Sequence, residues 1–341
     1  MSREPASAAQ AVDAGSPSFV KTSSAESPYL SILIPVYNEE ENLRDLGEEV
    51  GGVVAGLGMT TEVILVDDGS TDASFSVIEE LCAKNPVFRG VRLGRNVGQT
   101  AALSAAIKHS RGELIACLDA DMQNDARDIA RMIDKLNEGY DVVSGWRKDR
   151  KDAFLNRKLP SMLANGLISW ITGVSLHDYG CTLKLYRAKY LKPLKLYGEM
   201  HRFVPAFAGF LGARITELPV NHRARTKGYS KYGIMRTFKV LLDLLTVKFM
   251  DSYMAKPIYL FGGGGFAMGS IGVLFAAFTL FRKFHDHVFV KDQPLFQVSI
   301  FFMIIGFQLI LLGLLAEILI RVYFDIKDKP SYFVKDTVGF N

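Results

Sequence analysis

The sequence is poor in cysteine, in net charge and in the motifs that mark common nucleotide-binding folds. Its three cysteines, Cys82, Cys117 and Cys181, are scattered and form no C-x-x-C pair. This argues against zinc and disulfide frameworks and favours a reducing compartment. The formal net charge of +4 is too small to indicate a nucleic-acid-binding protein. The chain also lacks G-x-x-x-x-G-K-[ST] and lacks G-x-G-x-x-G after a predicted strand, so neither a P-loop NTPase nor an NAD-binding protein is indicated.

The N-terminal segment lacks a long hydrophobic run. Residues 1–28 are rich in Ala and Ser and contain Pro5 and Pro17. They have no apolar core of the kind a signal peptide carries, and their composition predicts a disordered tail. We therefore expect the folded domain to occupy residues 29–232.

Two long hydrophobic runs lie near the C-terminus. Residues 257–281 contain no charged side chain, and residues 295–320 contain one, Glu317. Each run exceeds the ~20 residues that a helix needs to cross a ~30 Å hydrocarbon layer. We predict two transmembrane helices within residues 257–322, with a buried helix of a soluble protein as the alternative. The glycines of the first run weaken a helix in water but allow close helix contact in lipid, which leaves a homo-oligomer open.

The basic residues around these runs predict their orientation. Both outer flanks are basic, at Arg236, Lys239, Lys248 and Lys256 before the first run and at Arg321, Lys327, Lys329 and Lys335 after the second. The connecting loop also carries basic residues, but Asp286 and Asp292 offset them. The positive-inside rule thus places both ends in the cytoplasm. We expect a multi-pass protein of the cytoplasmic membrane with its catalytic domain and its tail, 323–341, in the cytosol.

The segment from residue 30 to residue 146 alternates apolar strands with amphipathic helices. The predicted strands are 30–36, 62–67, 88–93, 113–119 and 140–144, and the predicted helices lie near 39–56, 72–84, 98–110 and 126–138. Nearly continuous apolar strands separated by helices indicate an α/β fold with a mostly parallel, Rossmann-like sheet that helices cover on both faces. Ligands of such sheets bind beyond the carboxyl ends of the strands.

Polar residues follow the first four predicted strands. They are the stretches 35–39 (PVYNE), 67–72 (DDGSTD), 95–98 (RNVG) and 119–123 (DADMQ). One such stretch alone could be turn chemistry, because Asp-Gly-Ser is a common turn. Four of them at the same ends of successive strands indicate a binding site at one edge of the sheet.

The fourth stretch predicts a metal site. Asp119, Asp121 and Gln123 alternate, so a locally extended chain would direct all three side chains the same way. Their oxygen atoms suit Mg²⁺ or Mn²⁺ that also contacts phosphate oxygens. A metal with a diphosphate indicates nucleotide-sugar chemistry, in which the cation stabilises the nucleoside-diphosphate leaving group.

In this order and spacing, "PVYNEE", "VDDGSTD", "RNVG" and "DADMQ" resemble family 2 glycosyltransferases of the GT-A fold. They are most similar to the membrane-anchored polyprenyl-phosphate glycosyltransferases, the group of dolichyl-phosphate mannose synthase and the bacterial undecaprenyl-phosphate sugar transferases. The resemblance runs from about Ser31 to Tyr232 and includes "DYGCTLKLYR" (178–187) and "RTKGYSKY" (225–232). The two C-terminal hydrophobic runs fit one branch of this group.

The resemblance implies roles for individual residues. The nucleotide sugar would be held by Pro35, Tyr37, Glu39, Asp67 and Asp119. The divalent cation, Mg²⁺ or Mn²⁺, would be bound by Asp119, Asp121 and Gln123, and Asp121 is also the candidate catalytic carboxylate. The acceptor phosphate would be held by Arg147, Arg157, Ser161, Arg225, Ser230 and Lys231; the arginines among them suit phosphate through their bidentate fork.

The chain departs from the family pattern at two places. The family often has Pro-Pro after the metal motif, where this chain has Asn124 and Asp125, and this predicts a less rigid loop. Relatives often have Arg where this chain has Lys184, which makes Lys184 a weaker site candidate.

Two segments outside the hydrophobic runs mix basic and apolar residues. These are 154–172 and 234–250, and both could lie at the membrane surface with their apolar faces inserted. Packing against the sheet or against a partner subunit is the alternative. We predict interfacial amphipathic helices for residues 233–256, which would bring a lipid phosphate to the site while its tail stays in the bilayer.

These patterns together predict an inverting glycosyltransferase. It would move a sugar from a nucleotide sugar, with a UDP-sugar such as UDP-glucose preferred, to undecaprenyl phosphate or a similar polyprenyl phosphate. A polyprenyl-phosphate mannosyltransferase that uses GDP-mannose is the alternative. A processive polysaccharide synthase should carry Gln-x-x-Arg-Trp and more spans, neither of which we find. The presence of Asp119, Asp121 and Gln123 argues against a non-catalytic membrane scaffold.

Overall fold

The computed structural model of the protein describes residues 27–148, 159–196, 198, 200–223, 257–325 and 332–340. In these residues one mixed sheet of eight strands has the order β7-β5-β6-β4-β1-β2-β3-β8. The strands are Leu30–Val36 (β1), Thr61–Asp67 (β2), Phe88–Leu93 (β3), Leu114–Cys117 (β4), Val142–Trp146 (β5), Lys184–Arg187 (β6), Ile215–Pro219 (β7) and Val334–Val338 (β8). The α-helices are Glu40–Leu57 (α1), Ser74–Lys84 (α2), Gln99–His109 (α3), Asp128–Asn137 (α4), Leu159–Thr172 (α5), Ala188–Leu191 (α6), Val204–Phe210 (α7), Pro257–His285 (α8) and Pro294–Asp325 (α9).

The sheet is buried between two hydrophobic layers, as its apolar strands predict. On β1, Ile32 faces α1 and packs in one cluster with Leu43 and Leu46. The neighbouring residue Leu33 points to the opposite face and packs with Ala102 of α3. Burial of one such side chain contributes about 1.5–3 kcal/mol, so these two layers hold the sheet between its helices. The parallel direction of β1, β2, β3 and β4 brings the polar loops to one edge.

The predicted α/β alternation is confirmed, with two differences at the strand ends. Strand β4 ends at Cys117 instead of 119, and β5 runs from Val142 to Trp146 instead of 140–144. Residues 119–123 form a turn in which Met122 has a positive φ of 59°. The prediction of a locally extended chain at the metal motif is therefore wrong, because a turn bends the backbone there.

The sheet also contains two antiparallel strands that the predicted strands did not include. Strand β6 lies antiparallel between β4 and β5. Its direction brings the residues that precede it, 178–183, to the carboxyl end of β4. The other antiparallel strand, β8, pairs with β3 at the sheet edge. Residues 334–338 of the predicted tail thus belong to the same sheet as β1–β7.

The helices α8 and α9 form an antiparallel pair and are candidate membrane spans. Their apolar windows, Pro257–His285 and Pro294–Leu319, have mean hydropathies of 1.8 and 2.6. The helices meet at glycines: a Cβ on Gly265 would lie 2.6 Å from the carbonyl oxygen of Gly306. Large side chains such as Phe266 and Phe301 face outward, with 71% and 64% exposure. Contact between the helices thus needs glycine, and the remaining surface is apolar.

Candidate active site

The first two polar loops bind each other at the carboxyl edge of the sheet. The amide of Asn38 donates to Ser70 Oγ (2.9 Å), and the amide of Thr71 donates to Asn38 Oδ1 (2.8 Å). The amide of Glu39 donates to Ser74 Oγ at 2.9 Å. Asn38 has a positive φ of 51°, a conformation that asparagine tolerates better than most residues. The predicted nucleotide-binding residues Tyr37 and Glu39 therefore lie in a loop that the next loop fixes.

The third polar loop is joined to the second through Asp68 and Gly69. The carboxylate of Asp68 accepts hydrogen bonds from the amides of Val97 and Gly98, each at 2.8 Å. Gly69 has a φ of +65°, and a Cβ there would lie 2.4 Å from the backbone carbon of Arg95. Only glycine permits this approach. Burial raises the pKa of Asp68, and its bonds to the loop amides assign it a structural role.

Asp67, predicted to hold the nucleoside, is fully buried at the end of β2. Its Oδ1 atom accepts a hydrogen bond from the amide of Ser70 at 3.0 Å. Its Oδ2 atom receives no hydrogen bond from the described part of the chain, although Arg92 Nε lies 3.5 Å away. Buried carboxylate oxygens are normally hydrogen-bonded, so this atom fits an N–H donor from a ligand.

Asp119 is held at both carboxylate oxygens. Gln99 Nε2 donates to Oδ1 at 2.8 Å, and Thr182 Oγ1 donates to Oδ2 at 2.6 Å. Gln99 begins α3, and Thr182 lies just before β6, so two separate elements fix this side chain. Burial and the nearby charge of Asp121 raise the pKa of Asp119 to about 6. A buried carboxylate beside a second carboxylate forms a site that favours a cation.

The donor set fits a divalent cation that also contacts a substrate phosphate. Asp119 and Asp121 offer carboxylates, and Gln123 offers a side-chain oxygen. The backbone amide of Gln123 also donates to Asp121 Oδ1 at 3.2 Å. The described residues contain no cluster of three or more His, Cys, Asp or Glu that could hold a metal. Mg²⁺ in nucleotide sites is typically bound by one or two carboxylates with substrate phosphates, so two carboxylates are sufficient here.

Arg147, predicted to contact the acceptor phosphate, lies just after β5 and forms a bidentate ion pair with Asp178. Its Nε and Nη2 atoms lie 2.7 and 2.9 Å from the two carboxylate oxygens. Burial alone would lower the pKa of Arg147, but the pair with Asp178 outweighs burial and raises it. Arg147 therefore stays charged near Asp119, and Asp178 occupies its Nε and Nη2 atoms.

Asp119 lines a small cavity. It has a volume of roughly 20 Å³, enough for about one water molecule, and its lining includes Pro35, Lys184 and His201. The ammonium of Lys184 is buried and donates to the carbonyl oxygen of Tyr179 at 3.1 Å. Burial lowers the pKa of His201 to about 3, so this imidazole is neutral. Lys184, the weaker candidate in the sequence, therefore lies beside the predicted metal ligand.

The structure places some of the remaining predicted acceptor residues but not all. Ser161 lies on α5, and nothing more of its side chain is described. Arg157, Arg225, Ser230 and Lys231 lie outside the described residues, as does the predicted interfacial segment 234–250. Four residues of the site had not been singled out individually as site candidates: Arg92, Gln99, Asp178 and Thr182. Thr182 and Asp178 belong to the stretch 178–187, and their roles depend on the antiparallel insertion of β6.

A mixed α/β sheet with acidic loops at its carboxyl edge is the GT-A architecture, the fold of nucleotide-sugar glycosyltransferases. The solved glucosyl-3-phosphoglycerate synthase from Mycobacterium tuberculosis, in complex with Mn²⁺, UDP and glucosyl-3-phosphoglycerate, has this fold. It superimposes with a TM-score of 0.50 at 15% identity over 65% of this chain and 80% of its own.

The profile of the family "Glycosyl transferase family 2" matches residues 31–195. Dodecaprenyl-phosphate galacturonate synthase of Rhizobium johnstonii is 44% identical over 90% of this chain and 92% of its own length. Undecaprenyl-phosphate 4-deoxy-4-formamido-L-arabinose transferase of Shewanella sediminis is 39% identical over the same shares. The protein belongs to glycosyl transferase family 2.

Proposed function

We propose that the protein transfers a sugar from a nucleotide sugar to a polyprenyl phosphate, with inversion, at the cytosolic face of the membrane. The carrying observation is Asp119, which Gln99 and Thr182 hold at both carboxylate oxygens next to the charge of Asp121. Relatives that match this chain over 90% of its length are polyprenyl-phosphate sugar transferases by name, and they support the choice of acceptor.

Asp67 narrows the choice of nucleobase. Its Oδ2 atom is buried and can only accept a hydrogen bond. Uracil offers an N–H at its Watson–Crick edge, and guanine offers an N–H and an amino group there. Adenine and cytosine offer an amino donor at this edge too, but an acceptor nitrogen stands beside it and faces the carboxylate unfavourably. This supports UDP-sugars, our preferred donors, and GDP-mannose as the alternative.

Two UDP-sugars are the candidate donors. UDP-glucose is the sequence-based prediction, and UDP-galacturonate joins it because the 44% identical relative is a galacturonate synthase.

The chain's residues provide charge and position for an in-line displacement. A divalent cation at Asp119 and Asp121 supplies positive charge to the leaving diphosphate when it is bound. A phosphate oxygen of the acceptor forms the bond to the anomeric carbon while the bond from that carbon to the diphosphate oxygen breaks, and the nucleoside diphosphate leaves. Because a phosphate monoester is already ionised near neutral pH, this step needs no strong base. Arg147 provides positive charge near Asp119, which reduces repulsion between two anionic substrates.

The strand β8 supports the predicted membrane topology. It follows the second candidate span and pairs with β3 of the catalytic sheet. This pairing supports a topology in which both ends of the helical pair lie on the same side of a membrane as the sheet. The basic flanks of the two spans favour the cytosol as that side. Trp170 on α5 is 81% exposed and fits a position at the membrane surface.

A transfer assay tests the proposal. Full-length protein in nanodiscs is incubated with undecaprenyl phosphate, Mn²⁺ or Mg²⁺, and labelled UDP-glucose, UDP-galacturonate or GDP-mannose. We expect label in the lipid fraction with at least one donor, and none with Asp121→Asn or with EDTA. No transfer from any of these donors, or equal transfer by Asp121→Asn, would refute the proposal.

A further inference from the structure

The loop that follows the metal motif is attached to a distant stretch of the chain. We call residues 119–127 the metal loop. The amide of Arg223 donates to the carbonyl oxygen of Gln123 at 2.8 Å, and Asn124 forms an antiparallel bridge with His222. One step further, the amide of Asn221 donates to Asp128 Oδ2 at 2.7 Å. The stretch 221–223 thus runs along the metal loop from its predicted ligand Gln123 to the start of α4.

The side chain of Arg223 connects this backbone contact to helix α1. Its Nη1 atom lies 2.6 Å from Glu49 Oε2, and its Nη2 atom lies 3.0 Å from Asp125 Oδ2. Glu49 also accepts a hydrogen bond from the amide of Ala126 at 3.1 Å through its other oxygen. A single guanidinium therefore joins α1 to the middle of the metal loop.

Asp125 makes this arrangement sensitive to charge. The residue is only 4% exposed, and Arg127 also binds it through two contacts of 2.9 Å each. Burial would raise the pKa of Asp125, but its bonds to Arg127 and Arg223 outweigh burial and lower it. Without Arg223, Asp125 would keep Arg127 as a cationic partner but would lose its link to α1, and partial loss of compensation at a buried carboxylate favours a shift of the loop backbone.

We propose that Arg223, held by Glu49, is a positioning residue for the metal loop, so that binding of the cation and diphosphate depends on an ion pair anchored on α1. This inference rests on the proposed function. Arg223 contacts the backbone of Gln123 directly, and its charge fixes the loop two residues further on. These two contacts hold the backbone of the metal loop at Gln123 and at Asp125. The loop thus has ion pairs where the sequence suggested less rigidity.

Glu49→Gln is the sharpest test because it keeps the contact with the Ala126 amide and removes the ion pair with Arg223. The amide oxygen of Gln can still accept the bond from Ala126, whereas its NH₂ group would face the Arg223 guanidinium, donor against donor. Arg223→Lys keeps the charge but cannot bridge two carboxylates in a planar fork. The matched control is Glu80→Gln. Glu80 lies on α2 and forms an exposed ion pair, 3.1 Å long, with Arg44 of α1, the helix that also carries Glu49.

The readouts are the Kd of Mn²⁺·UDP, measured by calorimetry on full-length protein in nanodiscs, and the Tm. Loss of partners around a metal ligand typically costs about 10–100-fold in affinity. We expect Glu49→Gln and Arg223→Lys to raise the Kd about tenfold or more, and Glu80→Gln to leave it unchanged.

Two outcomes would overturn the inference. One is a wild-type Kd in Glu49→Gln, and the other is a lower Tm without any change in Kd, which would make the ion pair merely stabilising. Failure of the proposed function looks different, because wild-type protein would then neither bind Mn²⁺·UDP nor transfer sugar. If the wild type transfers sugar and Glu49→Gln binds Mn²⁺·UDP with the same Kd as the wild type, the positioning role is refuted while the proposed function stands.

Discussion

Thr182→Val tests whether Asp119 is held in place for cation binding. The hydroxyl of Thr182 donates to Asp119 Oδ2 at 2.6 Å and accepts a hydrogen bond from Asn124 Nδ2 at 3.1 Å. Valine has nearly the same shape, so the substitution removes both bonds with little change in volume. Asp119 would keep only its bond from Gln99 at 2.8 Å, and its carboxylate could rotate away from Asp121.

The size of the effect follows from the charge of the acceptor. A hydrogen bond to a charged group contributes about 1.5–3 kcal/mol, which corresponds to roughly 10–150-fold in a binding constant. The bond from Thr182 also lowers the pKa of Asp119, so its removal should raise this pKa above the value of about 6. We therefore expect Thr182→Val to weaken Mn²⁺·UDP binding by at least tenfold at pH 7.5, and by more at pH 6.

Calorimetric titration of full-length protein in nanodiscs measures this effect. Thr182→Ser restores the hydroxyl and should recover most of the affinity. The control is Thr172→Val, because Thr172 is also buried but donates to the carbonyl oxygen of Ile168 at 2.7 Å, within α5. If Thr182→Val binds Mn²⁺·UDP as tightly as the wild type at both pH values, Asp119 does not depend on this bond and the reasoning fails.

Three further predictions concern pH, the helix pair and the C-terminal strand. As pH falls below about 6, protonation of Asp119 should weaken cation binding about tenfold per pH unit, measured by the same titration, and unchanged affinity at pH 5 would contradict the raised pKa. Because the pKa of Asp119 is higher in the folded state than in the unfolded state, metal-free protein should also lose stability as pH rises from 3.8 to about 6. Gly265→Val should lower the Tm in detergent, because its Cβ would lie 2.6 Å from Gly306, whereas Gly263→Val, with no atom within 4 Å, should not; equal Tm values would refute the contact. Removal of residues 332–341 exposes β3 and loses the buried Tyr332, so the Tm should fall by about 5 °C, and an unchanged Tm would show that β8 does not stabilise the sheet.

The sequence was sufficient for the elements whose signals are local. The runs Leu30–Val36 and Thr61–Asp67 are apolar strands bounded by turn residues, and both are strands in the structure. The hydrophobic helices were readable for the same reason, since length and composition define them. The polar stretches at the strand ends also pointed to one edge of the sheet, where the structure brings Asp67, Asp68 and Asp119.

What the sequence could not show depends on contacts between distant segments. Strand β6 is short, and only its pairing with β4 brings Thr182 to Asp119. The segment Val334–Val338 is too polar to predict as a strand, yet pairing with β3 makes it one. The backbone at Met122 bends through a positive φ, which the alternation of the flanking acidic residues did not reveal. In each case tertiary hydrogen bonds, and not local preference, decide the structure.

The dependence of nucleotide binding on a divalent cation tests the central claim most directly. UDP is titrated into full-length protein with Mn²⁺ and again with EDTA, for the wild type and for Asp119→Asn and Asp121→Asn. We predict measurable affinity for the wild type with Mn²⁺ only, and its loss in both variants. UDP binding of equal strength in EDTA, or in the two variants, would contradict the assignment of Asp119 and Asp121 to a cation–diphosphate site.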